Sequence, residues 1–405
     1  MLRMKITTAV FYYISQLYYV CAIVKIQQRQ LEFTKHELIF GHESFKDGKL
    51  TYAVCKSNVT SNEKLCIVTR EKEPFSNNTL SCNVTLKILA MKSNDREIEE
   101  SIGLVPFAGD KAILYVVQKY RRTKVKFNTI QFHGCNVIET HITVSKFVFS
   151  KYNIMVIPYS NSYDVVYPST SKGFQKITIN LNGERINGPI DLGYFLWLVH
   201  FPYILPISQK SRRKGFVYLS FVLDSDCPDG YNLNVWKPDG SGKIIGRHTI
   251  ALRSLKATEH DLVSICHDDG NYSLNFVKCT QYDIDGNLKF QTDSIGTQYE
   301  SILFIYNAPG GGLFLFSGKS KNETEDIDFF IAKLDPAGKN NGFVSIGKIK
   351  LKAEALVTSF YKIGDSEYCI SLVDYNAFGM TCLGRSNPYY IDQTIGCFND
   401  SDFSI

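Results

Sequence analysis

The chain has 405 residues, 44% of them apolar and 13% aromatic, and a formal net charge of +5. This apolar fraction is enough to bury a sizeable core, and it excludes a disordered, tail-like protein. The net charge is small for the length, which argues against a dedicated nucleic-acid-binding protein.

The first segment, residues 1–22, has the pattern of a secretory signal peptide. Arg3 and Lys5 precede an apolar run, and Ala22 supplies a small residue at the predicted cleavage site. An uncleaved signal anchor is the alternative, because the run approaches the length that crosses a bilayer. We expect cleavage, a mature chain of residues 23–405 in a single domain, and no stable membrane insertion of that mature chain.

The cysteine count supports export independently. Removal of Cys21 with the signal turns the odd total of eleven cysteines into an even number, and an even set in an exported chain indicates disulfide bonds. The sequence contains no Cys-x-x-Cys pair, so neither a metal site nor a cofactor is predicted. A secreted, extracellular location follows as the expectation.

Six sequences fit the acceptor pattern for N-linked glycosylation, Asn-x-Ser/Thr. They are predicted glycosylation sites in an exported chain, and most lie in polar, turn-like surroundings. The six asparagines are Asn58, Asn77, Asn83, Asn271, Asn322 and Asn399.

Turn sequences that end in glycine recur at intervals of about 50 residues, each after a run of alternating apolar residues. These turns are IQFHG, INLNG, WKPDG, YDIDG and LDPAG, which end at Gly134, Gly183, Gly240, Gly286 and Gly338. One further period in each direction reaches Asn387-Pro388 and the polar stretch around Asn83. Seven repeat units result.

Each unit is predicted to contain four short strands, because β-branched and aromatic runs with period-two alternation are separated by turn signals. In the unit from Ala251 to Ile295 the strands are ALRSLKAT, HDLVSIC, YSLNFVKCTQY and NLKFQTDSI. In the last unit they are ALVTSFYKI, EYCISLVDY, FGMTCLG and YYIDQTI.

This pattern of repeated four-stranded units resembles β-propellers in general, without the signature of a specific family. The predicted fold is therefore all-β, a seven-bladed β-propeller of four-stranded antiparallel blades. A row of β-sandwich domains is the competing architecture, but sandwiches would place about 100 residues between equivalent points. Propellers commonly complete the last blade with a strand from the opposite end of the chain, and Val24–Phe33 is available for that role.

Two cysteine pairs share one odd separation, which suits directly opposed residues across a hairpin. We therefore predict three disulfides within hairpins: Cys55 with Cys66, Cys266 with Cys279, and Cys369 with Cys382. Free buried cysteines that behave as small hydrophobes are the alternative. The other four cysteines, Cys82, Cys135, Cys227 and Cys397, permit three pairings. The pairing that joins Cys82 to Cys135, in adjacent units, is favoured.

Two basic runs, KYRRTKVK and KSRRK, are predicted to lie in strand connections. Their arginines, Arg121, Arg122, Arg212 and Arg213, are candidate contacts if the runs share one face. No catalytic motif is present, so no catalytic residue is predicted. We expect a monomeric, non-enzymatic protein that binds an extracellular protein or glycan through propeller-face loops, and no nucleic acid. The alternative is a propeller hydrolase or lyase with its site at the central channel.

Overall fold

The computed structural model describes residues 25–33, 37–39, 45–46, 48–58, 63–87, 100–107, 109–119, 123–146, 148, 154–169, 173–194, 204–206, 216–224, 227–236, 242–249, 254–268, 276–296, 301–320, 327–349, 356–363, 366–376 and 389–403. Regular structure in these ranges is almost entirely β-strand, with a 3-10 helix at Asp400–Phe403.

The strands of the described ranges form seven antiparallel sheets, which we number in chain order. The first strand, β1 (Lys25–Phe33), belongs to sheet 7. Sheet 1 contains β2 (Glu37–Ile39), β3 (Phe45–Lys46), β4 (Lys49–Asn58), β5 (Glu63–Glu71) and β6 (Thr79–Lys87). Sheet 2 contains β7 (Glu100–Phe107), β8 (Lys111–Lys119), β9 (Thr123–Gln131) and β10 (Asn136–Thr143). Sheet 3 contains β11 (Met155–Pro158), β12 (Ser162–Pro168), β13 (Gly173–Asn180) and β14 (Arg185–Tyr194).

The remaining sheets follow the same chain order. Sheet 4 contains β15 (Ile204–Pro206), β16 (Phe216–Asp224), β17 (Cys227–Trp236) and β18 (Gly242–Thr249). Sheet 5 contains β19 (Ser254–Ala257), β20 (Leu262–Asp268), β21 (Phe276–Asp283), β22 (Leu288–Gln291) and β23 (Ile295–Gly296). Sheet 6 contains β24 (Ser301–Asn307), β25 (Leu313–Ser320), β26 (Ile327–Leu334) and β27 (Asn340–Ile349). Sheet 7 contains β28 (Leu356–Ile363), β29 (Glu367–Asn376) and β30 (Tyr389–Asn399) together with β1.

First strands are more buried than fourth strands. In sheet 2 every side chain of β7 from Ile102 to Phe107 is buried, whereas the side chains of β10 are half-buried or exposed. This gradient places the first strands near the centre of the molecule and the fourth strands at the rim, which is the radial order of a propeller. The predicted all-β propeller fold is confirmed.

Neighbouring sheets pack face to face through apolar side chains. The clearest case is an aromatic cluster between sheets 6 and 7, where ring centroids lie 5.7 Å apart for Phe314–Phe398 and 5.8 Å for Phe316–Phe360. Aromatic pairs at such spacings contribute roughly 0.5–1.5 kcal/mol beyond their area burial. Each of the other apolar interfaces is a buried cluster to which side chains of two neighbouring sheets belong or pack. Examples from the two sheets are Cys66 and Leu114, Phe127 and Tyr163, Val166 and Trp236, Ile245 and Val263, and Cys279 and Leu315.

The N-terminal strand closes the last sheet, as predicted. β1 pairs antiparallel with β30 along its whole length, from Lys25 opposite Cys397 to Phe33 opposite Tyr389. The predicted order inside sheet 7 was partly wrong, because β30 is its third strand and β1 is its fourth. The sequence FGMTCLG, which was predicted to be the third strand, lies outside the described residues.

The repeat unit was located correctly in sheet 5, where β19, β20, β21 and β22 each overlap one of the four predicted runs. The extension of the repeat to Asn83 was wrong, since this residue lies within β6 and the third-to-fourth connection of sheet 1 is residues 72–78. A fixed period fails here because the connections differ in length from sheet to sheet.

Three disulfides join directly opposed residues of the second and third strands of a sheet. Two were predicted, Cys55–Cys66 and Cys266–Cys279, with Cα atoms 4.0 and 4.1 Å apart. The third was predicted wrongly. Cys369 bonds to Cys397 rather than to Cys382, because β30 supplies the strand opposite β29 and puts Cys397 directly across from Cys369. Cys382 lies outside the described residues.

The favoured pairing of Cys82 with Cys135 is confirmed, with a Cα–Cα distance of 5.3 Å. Cys82 lies on β6 of sheet 1, and Cys135 lies in the turn between β9 and β10 of sheet 2. This bond therefore joins neighbouring sheets, whereas the other three act inside one sheet. Disulfides of this kind are typical of chains that fold in an oxidising compartment.

The Cys369–Cys397 bond can be checked by peptide mapping of unreduced protein. Trypsin cleaves after Lys362 and Arg385, and cyanogen bromide cleaves after Met380, which separates Cys369 from Cys382. We expect peptide 363–380 to be linked to peptide 386–405. A link between 363–380 and 381–385 would instead support the bond predicted from spacing.

Three third-to-fourth turns share one hydrogen-bond pattern. A side-chain oxygen accepts bonds of 2.8–3.0 Å from the backbone N–H groups two and four residues further on, and a glycine with φ near +84° stands between them. The acceptor and glycine pairs are Asn180 with Gly183, Asp283 with Gly286, and Asp335 with Gly338. Four of the five predicted turn glycines thus lie in third-to-fourth turns, and Gly240 lies outside the described residues.

The substitution Gly338→Ala tests whether such a turn also carries packing between sheets. A Cβ at Gly338 would lie 2.8 Å from Phe290 Cδ2, whereas a Cβ at Gly134 would meet no atom within 4 Å. Both glycines have a left-handed φ, so Gly134→Ala isolates the backbone cost of about 1–2 kcal/mol. We expect the loss in unfolding free energy, measured in urea, to be clearly larger for Gly338→Ala. Equal losses would contradict the packing role.

Candidate functional site

The four predicted contact arginines lie outside the described residues, but their flanking strands are described. Arg121 and Arg122 follow Lys119, which pairs with Thr123, between the second and third strands of sheet 2. The connection that contains Arg212 and Arg213 joins the first and second strands of sheet 4. Connections of these two kinds leave opposite ends of an antiparallel sheet, so the expectation that both basic runs share one face is not supported.

Three of the six predicted glycosylation sites have described, exposed side chains. Asn77 lies in the turn before β6, Asn83 lies within β6, and Asn399 ends β30. Asn58 is the last residue of β4. Asn271 and Asn322 lie outside the described residues.

The two ends of the sheets carry different connections. We call one end the short-turn face; it holds the first-to-second and third-to-fourth turns, such as 159–161 and 284–287, although residues 207–215 form a longer connection there. We call the other end the long-connection face. It holds the second-to-third and fourth-to-first connections, and the longest of these are residues 88–99, 144–154, 195–203 and 377–388.

Buried polar side chains fix the short-turn face to the neighbouring sheet. Arg70 on β5 donates to the carbonyl oxygens of Phe107 and Lys111, both at 2.9 Å, and so holds the first turn of sheet 2. Gln393 on β30 donates to the Gly48 carbonyl oxygen at 2.8 Å and links sheet 7 to sheet 1. A charged or amide donor on a backbone acceptor fixes the geometry of a turn that apolar contacts alone would leave adjustable.

The most elaborate polar cluster lies between sheets 5 and 6. Gln281 on β21 donates to the Gly312 carbonyl oxygen at 2.8 Å and to Asn307 Oδ1 at 3.1 Å. Asn307 Nδ2 donates to the carbonyl oxygens of Leu262 and Glu259, at 2.8 and 3.1 Å. Ser264 completes the cluster with hydrogen bonds to Asn307 and Gln281.

Glu259 is the titratable member of this cluster. Its Oε2 accepts a 3.0 Å hydrogen bond from the Asn307 backbone N–H. Burial raises the pKa of the Glu259 carboxyl to about 7, although hydrogen bonds from backbone N–H groups, with that of Asn307 the largest, lower it in part. The next two residues, His260 and Asp261, both have left-handed φ values, 59° and 62°, which costs energy that the surrounding contacts must offset.

Sheet 3 holds a second buried charge cluster. Lys176 Nζ lies 3.0 Å from Asp164 Oδ2, and both side chains are almost fully buried. Thr178 and Tyr159 donate to the same carboxylate at 2.6 and 2.9 Å. Because both oxygens of the Asp164 carboxylate accept hydrogen bonds and its charge is paired with Lys176, this ion pair is satisfied inside the fold.

Sequence patterns did not reveal either cluster. Glu259 was predicted only as the residue between two strands, with His260 and Asp261 at the start of the second, although three consecutive titratable residues are an available signal. Asp164 and Lys176 lie in runs that otherwise read as buried strands. Asp164 and Lys176 are twelve positions apart on paired strands, so their ion pair depends on strand register.

The described residues contain no group of three or more His, Cys, Asp or Glu side chains placed to hold a metal ion. Within the same ranges, no helix has the length and apolar character needed to span a bilayer.

The radial strand order and the closed last sheet define a β-propeller protein. No protein-family model matches the chain, and no curated protein matches it. Among solved structures, an uncharacterized protein from Listeria monocytogenes EGD-e is 13% identical with a TM-score of 0.46, covering 86% of this chain and 94% of that chain.

Two further solved structures are similar at this level. A prolyl endopeptidase is 10% identical with a TM-score of 0.45, covering 89% of this chain and 50% of that chain, so the chain spans half the length of that enzyme. The WD40 domain of SCAP from fission yeast is 10% identical with a TM-score of 0.40, covering 93% of this chain and 99% of that domain.

The substitution Glu259→Gln tests the buried carboxyl. The folded-state pKa of about 7 lies above the ordinary 4.5, so the folded protein binds more protons between these values. The contribution of Glu259 to the free energy of unfolding is therefore fully present below about pH 4.5. It is lost as pH rises through about 7, and the loss is at most roughly 3 kcal/mol. Glutamine keeps an oxygen acceptor for Asn307 and carries no charge, so we expect the variant to lose this pH dependence in urea unfolding between pH 5 and pH 8.

Glu139→Gln is the matched control, because Glu139 is exposed on β10. It makes the same chemical change without burial, so its stability should follow pH as in the wild type. A Glu259→Gln protein that kept the wild-type pH dependence would show that Glu259 ionises normally.

Proposed function

We propose that the protein is a secreted, glycosylated binding protein whose mature chain, residues 23–405, is one seven-bladed propeller of four-stranded blades. Four disulfides favour an oxidising, extracellular setting. The blade count is supported by apolar packing of each sheet on the next from sheet 1 to sheet 7. The Gln393–Gly48 hydrogen bond returns from sheet 7 to sheet 1.

We assign partner binding to the long-connection face. The observation that carries this assignment is the contrast between the two ends of the sheets. Turns on the short-turn face are held by repeated side-chain and backbone hydrogen bonds, which leaves little freedom to vary. Connections of unequal length on a rigid scaffold are the usual place for recognition residues.

Within this face, Arg121 and Arg122 are the proposed contacts for an acidic surface or a sulfated glycan. Arg212 and Arg213 lie between strands at the other end of their sheet, so they form a separate candidate. Attraction between exposed charges weakens as salt rises, because the Debye length falls from about 10 Å at 0.1 M to 3 Å at 1 M. Binding through either pair should therefore be salt-sensitive.

Retention on heparin-agarose, followed by pull-down from extracellular material, tests the assignment. We expect Arg121→Ala with Arg122→Ala to elute at clearly lower salt than the wild type, and Arg212→Ala with Arg213→Ala to change elution less. Arg185→Ala with Lys339→Ala is the matched control, since both residues are exposed beside short turns and their loss removes the same charge. Retention that survives all three double variants would contradict basic contacts altogether.

A hydrolase or lyase is the second candidate, favoured by one observation. Glu259 has a pKa near neutral and adjoins His260 and Asp261 in a first-to-second turn, and near-neutral carboxyls are suited to general acid or base catalysis. Hydrolysis of a panel of peptide and glycoside substrates that disappears in Glu259→Gln would support this candidate. Unchanged hydrolysis in the variant would exclude Glu259 as its base.

A further inference from the structure

One face of sheet 1 carries two exposed aliphatic side chains on its third strand. Leu65 is 50% exposed and Ile67 is 46% exposed. The third strands of sheets 3 and 5, β13 and β21, have no exposed side chain among their described residues. Large apolar residues on such an interior strand are normally covered, so this pair indicates a face with a missing cover.

The opposite face of the same strands is fully packed. Cys66 and Val68 on β5, with Cys82 and Val84 on β6, are buried in the apolar cluster shared with sheet 2. The exposed pair therefore lies on the side of sheet 1 that turns away from sheet 2 and toward sheet 7. The link between sheets 7 and 1 at Gly48 lies beside the turn that precedes β4, away from this pair.

A glycosylation acceptor sequence lies directly beside the exposed pair. Asn83 on β6 is opposite Ile67, and Thr85, the hydroxyl residue of the same acceptor sequence, is opposite Leu65. Directly opposed residues of an antiparallel pair point to one face with Cβ atoms roughly 4.5–5.5 Å apart. Both Asn83 and Thr85 are exposed, so a group attached to Asn83 starts within contact distance of Ile67.

Among the described strands, the strand that carries Asn83 is an edge of its sheet. β6 is the last strand in the order β2-β4-β5-β6, and Asn83 is its central residue. Exposed edges invite pairing with another chain unless they are blunted. A bulky solvated group at the middle of this strand would prevent such pairing.

We propose that an N-linked glycan on Asn83 covers Leu65 and Ile67 and prevents another chain from pairing with the edge of β6. This inference rests on the proposed secretion. The donor is an oligosaccharide linked to a lipid diphosphate: Asn83 Nδ2 forms a bond to C1 of the first sugar, the C1–O bond to the diphosphate breaks, and the diphosphate leaves while Nδ2 loses one proton. The C–H groups of the sugar then lie on the aliphatic pair, and its hydroxyl groups face water.

Occupancy is tested by intact-mass analysis of protein secreted from a cell that performs N-glycosylation. Asn83→Gln and Thr85→Ala should each lose the mass of one glycan, whereas Thr85→Ser keeps the acceptor sequence and should keep the glycan. Asn77→Gln is the positional control, because Asn77 lies in the preceding turn. Secretion of a chain without sugar at Asn83 would overturn this inference while leaving the binding proposal standing, and failure of secretion would overturn both.

The covering role is tested by enzymatic removal of the glycan from folded protein. We expect increased binding of an apolar fluorescent dye and later elution on a hydrophobic column, with Leu65→Ser and Ile67→Thr together reversing both changes. Dye binding that is the same with and without the glycan would show that the pair is not covered by it. Dimers that form equally in both preparations would assign the face to a second copy of this chain instead.

Discussion

The pairing of β1 with β30 is the constraint on which the rest of the structure depends. It joins residues from opposite ends of the chain, from Lys25 opposite Cys397 to Phe33 opposite Tyr389. In a repeat architecture each unit is stabilised by its neighbours, and terminal units expose a face unless they are capped. Closure by a strand from the other end supplies that cap, and it makes the first and last sheets neighbours.

Two sets of bonds stabilise the propeller: one set acts within single sheets, and the other joins neighbouring sheets. The cross-strand disulfides in sheets 1, 5 and 7 fix strand register within a sheet, and in the chain-entropy model they also restrict the unfolded chain. Arg70, Gln281 and Gln393 instead reach carbonyl oxygens of the next sheet. The bond between Cys82 and Cys135 adds a covalent link of this second kind between sheets 1 and 2.

The carboxyl groups of Asp164 and Glu259 are tolerated in the mainly apolar interior because each is held by hydrogen bonds or by an opposite charge. Asp164 is paired with Lys176 and receives bonds from Thr178 and Tyr159, so its charge is compensated where water is excluded. The Glu259 carboxyl is held by backbone N–H groups, which offset only part of the effect of burial on its pKa. Among the described residues, Arg70, Gln281 and Gln393 anchor turns of the short-turn face to the neighbouring sheet.

Sequence reasoning determined the features that depend on neighbours along the chain. Alternating apolar runs and turn glycines such as Gly183, Gly286 and Gly338 located the strands, because period-two alternation and a left-handed turn residue are local requirements. The same spacing argument found Cys55–Cys66 and Cys266–Cys279, since both pairs lie within one hairpin.

Only the tertiary structure decided the features that join distant segments. Cys369 was misassigned because its partner strand is β30, and the spacing of two cysteines carries no information about which strand lies opposite. The contacts of Glu259 with Asn307, and of Asn83 with Ile67, likewise depend on sheet packing and strand register. A local pattern fixes which side of a strand a residue faces, but strand register and the packing of sheets decide which residue lies opposite it.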